Sequence, residues 1–379
     1  MSPATHSIRR FTRQQQHTDV LCLSAGIADD VDQFGCRLIR SSTESVTVVE
    51  GIPAAQTAVI VVVAAIGAFT LRDYLSFDAL RDNAVAIKTH TLKHLDLYIE
   101  AYIEKVEASG GTVHFAEDAD HARRIFLDIA KRRGAKTVTK GKTMISEEIG
   151  LNDFLEQNGM VPVETDLGEY IIQLRGEHPS HIIAPAIHLT KDQIADTFRE
   201  KHSHLDAARN LEEPETLLEE ARGELRRKFI AADVGLTGAN MLVAETGSIV
   251  LVTNEGNADL TYSLPKTHIA IASLEKIVPT LEDATTILRV LARSATGQDM
   301  SVYTTFCTGP KRAQDLDGPE DFHVVLLDNG RTKMLGTEFH DMLRCIRCGA
   351  YAGGKAHMRA CGLRGRCPTQ PLNGAAQWR

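Results

Sequence analysis

The alternation of apolar and polar positions from residue 77 onward predicts a series of helices separated by short strands. Apolar residues recur at helical spacing over 77–108, and Gly110 and Gly111 follow, where glycine allows the left-handed backbone that ends many helices. The same criteria predict further helices over 118–133, 146–158, 191–201 and 214–232. No steady period precedes residue 76, so no fold is assigned to the N-terminal segment 1–75.

Short apolar runs between these helices predict strands. They cover 112–115, 137–140, 160–164, 184–187, 241–244, 248–253, 268–272, 302–305 and 324–327. Strands that alternate with helices at this spacing are joined by crossovers, which gives a parallel sheet. We therefore predict one α/β domain over 76–341.

An uncharged segment, 52–71, is about as long as a membrane span needs to be. Its uninterrupted apolar part, 58–69, is shorter, and alanine and glycine dilute its hydrophobicity. These features favour a buried strand or a partly disordered segment over a membrane helix.

Composition narrows the class of protein. A net charge of −8 argues against nucleic-acid binding, because that requires basic surface to replace phosphate counterions. The seven cysteines are an odd number, unevenly spread, and four of them fall within 345–367, which suits a metal site better than a secreted disulfide framework. We therefore expect a cytoplasmic protein.

No cofactor fingerprint is present for a dehydrogenase acting alone. The chain has no G-x-G-x-x-G sequence that opens a helix, and the glycines of 134–143 are too far apart for a phosphate-binding loop before a GKT sequence. Any oxidoreductase role is therefore expected as a component of a complex rather than as a catalyst by itself.

Polar residues gather where the predicted strands end. In a parallel sheet the carboxyl ends of the strands form the crevice that binds ligands, so these residues are candidates for a pocket. The alternative is that they cap helices and shape turns, since an acidic residue near a helix start is favourable without any ligand. The candidates are Lys140, Lys142, Glu147, Glu148, Asp166, Glu169, Glu245, Thr246, Asn254 and Glu255.

The segment 338–350, EFHDMLRCIRCGA, contains the C-x-x-C-G pair Cys345 and Cys348. In a bacterial ferredoxin-type site the run C-x2-C-x2-C-x3-C-P places thiolates around a cube of iron and sulfide. Here the next two ligand positions hold Tyr351 and Lys355, which are not normal iron ligands. The sequence therefore begins an iron–sulfur site and supplies half of it.

Two later cysteines, Cys361 and Cys367, are the further candidate ligands. They complete a set of four only if the intervening segment folds back as a loop. Four cysteines in two pairs also suit tetrahedral zinc. The cysteines alone therefore leave a 4Fe–4S cluster, zinc and a vacant site open.

Several long blocks in one order carry a resemblance to a known family. They include KTMISEEIGLNDFLE, ETDLGEYIIQLRGEHPSHIIAPAIH, AETGSIVLVTNEGN, HIAIASLEKIVPTLED and GPKRAQDLDGPEDFHVVLLDNGR, followed by LRCIRCGA. Over 77–350 the chain closely resembles the lactate-utilisation protein B family. The resemblance implies a LUD domain with a fold similar to the sugar-isomerase and CoA-transferase type of α/β sheet. No settled catalytic residue comes with that domain.

The resemblance also implies a cofactor and partners. Members of that family carry two 4Fe–4S sites of ferredoxin type after the LUD domain. They act in a cytoplasmic system that oxidises L-lactate to pyruvate, beside a second iron–sulfur subunit and another LUD-domain protein. The expected role here is that of an iron–sulfur electron-transfer subunit. The alternative is a non-redox LUD-domain protein that binds a small anion or a partner protein, with a zinc or vacant cysteine site.

Both ends of the chain depart from the family pattern. The segment 1–75 does not resemble it, and 342–379 holds an incomplete ferredoxin-type segment followed by a divergent tail. The family pattern is present in the middle of the chain and absent from both ends. This suggests reading-frame shifts near the two boundaries of the matching region. We therefore expect impaired cluster binding.

Overall fold

The computed structural model describes residues 77–141, 143–180 and 184–349, together with four short strands before residue 61. These strands are β1 (Val20–Leu21), β2 (Arg37–Arg40), β3 (Thr47–Glu50) and β4 (Val59–Ile60). The first three form an antiparallel sheet in the order β1-β3-β2. The rest of the predicted apolar segment 52–71 lies outside the described residues. No helix in the described part of the chain has the length and apolar character needed to cross a membrane.

Ten α-helices follow in the described region. They are α1 (Phe77–Lys93), α2 (Leu95–Ala108), α3 (Ala119–Arg132), α4 (Met144–Glu148), α5 (Leu151–Gln157), α6 (Leu167–Arg175), α7 (Lys191–Lys201), α8 (Pro214–Ile230), α9 (Asn257–Ser263) and α10 (Leu281–Thr296). Short 3-10 turns cover Leu274–Lys276, Thr332–Met334 and His340–Arg344.

Two predicted helices are each divided in the structure. The helix expected over 77–108 breaks at His94, whose φ of −124° and ψ of 38° take the backbone out of the helical region. The helix expected over 146–158 becomes α4 and α5, separated by Gly150 in the left-handed conformation at φ +59°. Glycine adopts this conformation without the steric cost that a Cβ atom imposes.

The strands alternate with the helices as predicted. They are β5 (Thr112–Ala116), β6 (Thr137–Lys140), β7 (Val161–Glu164), β8 (Val234–Thr237), β9 (Met241–Val243), β10 (Ser248–Thr253), β11 (Thr267–Ser273), β12 (Ile277–Val278), β13 (Tyr303–Cys307) and β14 (Asp321–Leu327). The predicted strand at 184–187 is wrong: residues 185–188 form a turn, in which the Pro185 carbonyl accepts a hydrogen bond from the Ser180 amide. Proline has no N–H to contribute to a strand ladder.

A six-stranded sheet with the order β5-β14-β11-β8-β6-β7 lies at the centre, and all its neighbouring strands are parallel. This confirms the α/β class with a mostly parallel central sheet. Strand β11 shows how the sheet is buried on both faces. Its Ile269 and Ile271 pack in the cluster formed with α3, α4 and α5, whereas Ala270 and Ala272 pack in the cluster formed with α2.

A second sheet, in the order β12-β9-β10-β13-β4, departs from the single parallel sheet that was predicted. Strands β9, β10, β13 and β4 pair antiparallel, and β12 pairs parallel with β9. The β9–β10 pair is antiparallel because a short turn joins the two strands and reverses the chain. One face packs toward α2 and the central sheet through Leu242 and Ile249. The other face packs toward α1 and α10 through Met241 and Val250. The hydrophobic core therefore consists of layers packed on the faces of both sheets.

Candidate functional site

A buried ion pair joins the ends of two neighbouring parallel strands. Lys140 is the last residue of β6 and Glu164 the last residue of β7, and the strand register places them side by side. The Lys140 ammonium contacts the Glu164 carboxylate, with only 1% and 7% of the two side chains exposed. Asn152 Nδ2 donates to Glu164 Oε1 at 2.7 Å. The carboxyl edge of the sheet thus holds a charge pair that is shielded from water.

Glu169 adds a second carboxyl group to this pair. It is 4% exposed, and its Oε2 atom has no hydrogen-bond partner among the described residues. Burial raises the pKa of Glu169 well above its ordinary value, and Glu164 raises it further. Burial acts to lower the pKa of Lys140, but the charges of Glu164, Glu169 and Glu147 outweigh it and raise that pKa. The environment therefore favours the protonated, neutral form of Glu169 beside the Lys140–Glu164 ion pair.

Three more of the predicted pocket residues lie around this group. Glu147 and Asp166 are close enough to shift the pKa of Glu169. Asp166 also caps α6 by accepting a hydrogen bond from the Glu169 amide at 3.1 Å. Glu255 accepts one from the Leu167 amide at 3.1 Å, at the start of the same helix. The structure therefore gathers Lys140, Glu147, Asp166, Glu169 and Glu255 at one edge of the sheet, while Lys142 lies outside the described residues.

The remaining candidates make hydrogen bonds within turns and helix caps. Glu245 accepts a hydrogen bond from the Leu281 amide at 3.0 Å and so caps α10. The Thr246 hydroxyl bonds that of Ser248 at 2.8 Å, and Asn254 accepts from the Val302 amide at 3.1 Å. Glu245 and Thr246 precede β10, whereas Asn254 follows it. The six residues of β10 span about 20 Å, so the two ends of the strand lie far apart. The ten predicted residues therefore do not line one pocket.

Glu148 belongs to a separate ion network that the sequence did not reveal. Arg331 donates to its two carboxylate oxygens at 3.1 and 2.8 Å, and Arg331 Nε lies 3.0 Å from Glu275 Oε2. Burial opposes the charge on Glu275, but Arg331 and then Arg347 lower its pKa to about 2. The sequence did contain one signal for this network: Glu275 is a charged residue directly after the apolar run that includes β11, at the carboxyl edge of the sheet.

The cysteine pair lies in a loop that is attached to this network. Arg347, between the two cysteines, places Nη2 3.6 Å from Glu148 Oε2 and 3.9 Å from Glu275 Oε1. Its amide donates to Cys345 Sγ at 3.4 Å, and its φ is +58°. Cys348 is 3% exposed. An amide hydrogen bond to sulfur stabilises thiolate character and tunes a metal held by it.

The donor set matches a metal–thiolate centre only in part. Cys345 and Cys348 supply two sulfurs, whereas a cubane cluster or a structural zinc needs four ligands. Within the described ranges no group of three or more His, Cys, Asp or Glu side chains is arranged to hold a metal. Cys361 and Cys367 lie outside the described residues. The described residues therefore fit half of such a site.

Behind the loop that carries Cys345 and Cys348 lies a small cleft, open to solvent on one side, whose enclosed space is about 10 Å³. Two buried lysines face it, Lys88 at 4% and Lys276 at 6% exposure. Burial lowers the pKa of Lys88 to about 8. Burial, with the charge of Arg347, lowers the pKa of Lys276 to about 7. The other lining residues are Asn240, Met241, Val278, Ile287, Cys345 and Ile346.

The fold and these edge clusters define an α/β protein with charged groups at the carboxyl edge of a parallel sheet. The LUD domain family matches residues 99–327, and the chain belongs to that family. The expected resemblance to lactate-utilisation protein B is also confirmed. "Lactate utilization protein B" of Shouchella clausii is 48% identical over 276 residues, which is 73% of this chain and 57% of the relative.

Two more relatives and one solved structure are similar to the chain. "Lactate utilization protein B" of Bacillus licheniformis is 46% identical over 276 residues, covering 73% of this chain and 57% of its own length. "Uncharacterized electron transport protein YkgF" of Escherichia coli K12 is 46% identical over 270 residues, covering 71% and 56%. A crystal structure of a DUF162 family protein from Deinococcus radiodurans matches 62% of this chain and 98% of that chain, at 13% identity and a TM-score of 0.34. The chain spans somewhat more than half the length of the curated relatives it matches.

Proposed function

We propose that this chain is an iron–sulfur electron-transfer component of a cytoplasmic system that oxidises L-lactate to pyruvate. Its partners in that system are a second iron–sulfur subunit and another LUD-domain protein. The cluster site starts at Cys345 and Cys348 and binds its cluster weakly, because Tyr351 and Lys355 occupy the next two ligand positions. The names of the relatives support the lactate role, and the partial donor set supports weak binding.

The single observation that carries this proposal is the attachment of the cysteine loop to the LUD domain. Ile346 packs against the cluster of α1, α10 and the second sheet, and Arg347 reaches Glu148 and Glu275. A loop between two cysteines that is anchored on both sides holds the sulfurs in a fixed orientation. Fixed orientation, hydrogen bonding to sulfur and low solvent exposure are the means by which a protein sets a cluster's reduction potential.

The residues of this chain would hold and orient such a group. Cys345 and Cys348 would supply thiolates, the Arg347 amide would stabilise the Cys345 sulfur, and burial of Cys348 would limit access of water. When bound, an iron–sulfur cluster supplies one-electron transfer. The Lys140, Glu147, Asp166, Glu169 and Glu255 cluster stays a proposed ligand pocket of the LUD domain.

The test is anaerobic reconstitution of the full chain with iron and sulfide. We expect brown colour and iron uptake that fall to background in Cys345→Ser and in Cys348→Ser. Cys22→Ser, at a cysteine with no predicted ligand role, should behave as the unaltered chain. Iron uptake that is unaffected by Cys345→Ser and Cys348→Ser would refute the assignment. Colourless, stoichiometric zinc binding at the same cysteines would favour the non-redox alternative.

A second test asks whether this chain oxidises L-lactate without partner proteins. The purified chain with L-lactate and an artificial electron acceptor should show no turnover, because it has no flavin or nicotinamide fingerprint to accept a hydride. Lactate-dependent reduction of the acceptor by this chain alone would contradict its role as a component.

A further inference from the structure

A chain of hydrogen-bonded side chains connects the three helices α6, α7 and α8. Lys228 Nζ on α8 donates to the Tyr170 hydroxyl of α6 at 3.3 Å, and that hydroxyl lies 2.8 Å from Nε2 of His202 at the end of α7. His202 Nδ1 lies 2.7 Å from Glu220 Oε1. Arg209 donates to both oxygens of Glu220, at 2.6 and 3.1 Å. The chain thus begins at an amine and ends at a carboxylate that an arginine holds in place.

The direction of proton donation along this chain follows from its carboxylate end. Burial opposes the charge on Glu220, but hydrogen bonds from Arg209 and His202 lower its pKa, so it is a carboxylate at neutral pH. A carboxylate only accepts hydrogen bonds, so His202 Nδ1 carries a proton, and Nε2 of the neutral ring accepts from the Tyr170 hydroxyl. The Tyr170 oxygen in turn accepts from Lys228. Each donor therefore points from the lysine toward the carboxylate.

The lysine end of this chain is the more exposed one. Lys228 is partly exposed, whereas Tyr170 and His202 are buried at 1% and 3% exposure. Burial lowers the pKa of Lys228, while the charge of Glu224 raises it in part and that of Arg227 lowers it. Burial raises the pKa of Tyr170, so its hydroxyl can pass a proton on but does not hold a negative charge. The amine is therefore the group of this chain that a reagent can reach from solvent.

We propose that Lys228 is a nucleophilic lysine that small activated acyl compounds modify, with its proton taken up by His202 through Tyr170. A nucleophile, a base and a carboxylate that orients the base form the usual arrangement for activating a weak nucleophile, and here one phenol lengthens it. An acyl phosphate or a thioester suits this site, because such a compound carries its own leaving group and needs no further group from the protein. The cysteine loop contributes no residue to the site.

The proposed reaction is an acyl transfer to nitrogen. The Lys228 ammonium gives one proton to the Tyr170 oxygen as the phenol proton moves to His202 Nε2, and Glu220 offsets the charge that forms on the imidazole. The neutral amine then attacks the acyl carbon, so that an N–C bond forms. The bond from that carbon to the phosphate oxygen or the thioester sulfur breaks, and its electron pair and the second nitrogen proton leave with the departing group. The product is an amide at Lys228.

The test is the initial rate of acetylation at each lysine of the full chain, measured by peptide mass spectrometry at neutral pH. Acetyl phosphate and the thioester S-acetyl-N-acetylcysteamine are added in separate arms. Lys266, whose side chain is 81% exposed, is the internal reference. We expect Lys228 to be acetylated several-fold faster than Lys266 although it is less exposed. The arm with the faster reaction identifies the class of acyl donor.

Two variants test the proton path. Tyr170→Phe keeps the ring, which lies 4.6 Å from the Lys228 ammonium, and removes the hydroxyl. His202→Gln keeps a donor and an acceptor but cannot take up a proton. Both should lower the rate at Lys228 to that of Lys266 or below, whereas a network that only holds the helices together would leave the rate high in His202→Gln. His178→Gln, at an exposed histidine, should keep the full rate.

Two results would overturn the inference. The first is a rate at Lys228 of the unaltered chain that exceeds the Lys266 rate in neither arm. This comparison is made within one molecule, so it does not depend on the folding of a variant. The second is a rate at Lys228 that stays high in both Tyr170→Phe and His202→Gln. Neither result involves iron uptake, so the outcome is independent of the proposed electron-transfer function.

Discussion

Arg331 binds both carboxylate oxygens of Glu148, with its two terminal nitrogens at 3.1 and 2.8 Å. The two residues are 183 positions apart, one in the loop after β14 and the other at the end of α4. The same guanidinium reaches Glu275 at 3.0 Å. A bidentate arginine fixes geometry as well as charge. It thus ties α4 and the end of β11 together at the edge where the cysteine loop attaches.

Removing this guanidinium should destabilise the fold. Arg331→Met leaves Glu148 and Glu275 without their main cationic partner, and breaking a buried pair costs about 3–5 kcal/mol in the free energy of unfolding. Chemical denaturation would measure the loss. Arg199→Met is the control, because Arg199 and Asp196 form an exposed pair on α7 that is worth roughly 0.3–0.5 kcal/mol. Equal losses in the two variants would show that the Arg331 network does not contribute to stability.

Two glycine-to-alanine changes should alter the stability of the fold in opposite directions. A Cβ atom on Gly235, in the middle of β8, would lie 1.9 Å from the Thr261 carbonyl oxygen of α9. Gly235→Ala must therefore displace α9 from the sheet and lower the denaturation midpoint. A Cβ atom on Gly223 in α8 meets nothing within 4 Å, so Gly223→Ala should stabilise by about 1 kcal/mol through helix propensity. A neutral Gly235→Ala would contradict the close packing of α9 on β8.

Acid should weaken the fold through His268. This residue is fully buried, its Nε2 lies 2.8 Å from the Thr237 hydroxyl, and burial lowers its pKa to about 3. The unfolded chain binds a proton near pH 6.5, whereas the folded chain does not until about pH 3. Between these values the unfolded state holds more protons, so the free energy of unfolding falls as the pH falls. The contribution is on the order of a few kcal/mol.

The measurement is the denaturation midpoint between pH 7 and pH 4. His268→Gln should flatten the slope, since the amide can keep a hydrogen bond to Thr237 but does not titrate. His178→Gln, at an exposed histidine, should leave the slope unchanged. An unchanged slope in His268→Gln would assign the acid sensitivity to other groups.

Reconstitution should yield well under one cubane cluster per chain. A stable cube requires four thiolates, and the local sequence around Cys345 and Cys348 provides two. The bound iron or zinc should also be lost on mild chelation. Iron and sulfide analysis would measure the stoichiometry. Near-stoichiometric loading that is abolished by Cys361→Ser or Cys367→Ser would show instead that the divergent tail completes a working site.

The LUD domain should fold without the first 76 residues. Among the described residues the N-terminal segment meets the domain by pairing β4 (Val59–Ile60) with Phe306 and Cys307 at a sheet edge. We expect a fragment covering 77–341 to show a cooperative thermal transition. An unstructured or aggregated product would show that the N-terminal segment belongs to the core.

The cysteine loop should add to the stability of that fragment. Leu343 is 4% exposed and Ile346 packs on the cluster of α1 and α10, so both are lost when the chain stops at 341. A fragment covering 77–349 should therefore be more stable by roughly 3 kcal/mol, from the burial of these side chains. Equal denaturation midpoints of the two fragments would show that the loop does not dock on the domain.

Local sequence determined the bounds of those helices and strands that have turn or capping residues at their ends. Strands β6 and β10 and helix α7 have the predicted bounds, because each is an unbroken run of one period with turn or capping residues at its ends. Thr190 and Gln193, for example, form a complete capping box before α7. The α/β class followed from the alternation of such runs, and the candidate metal ligands followed from the C-x-x-C spacing.

Tertiary structure alone decided how these elements and charges combine. Strand β8 escaped prediction because four residues that include Gly235 form a strand only when β6 and β11 flank them. The candidate pocket residues divided into separate groups because pairing between distant segments, not sequence spacing, sets which strand ends meet. Lys88 and Lys276 are 188 residues apart and share one cleft. A local pattern contains no information about such contacts, since only long-range packing brings these side chains together and buries them.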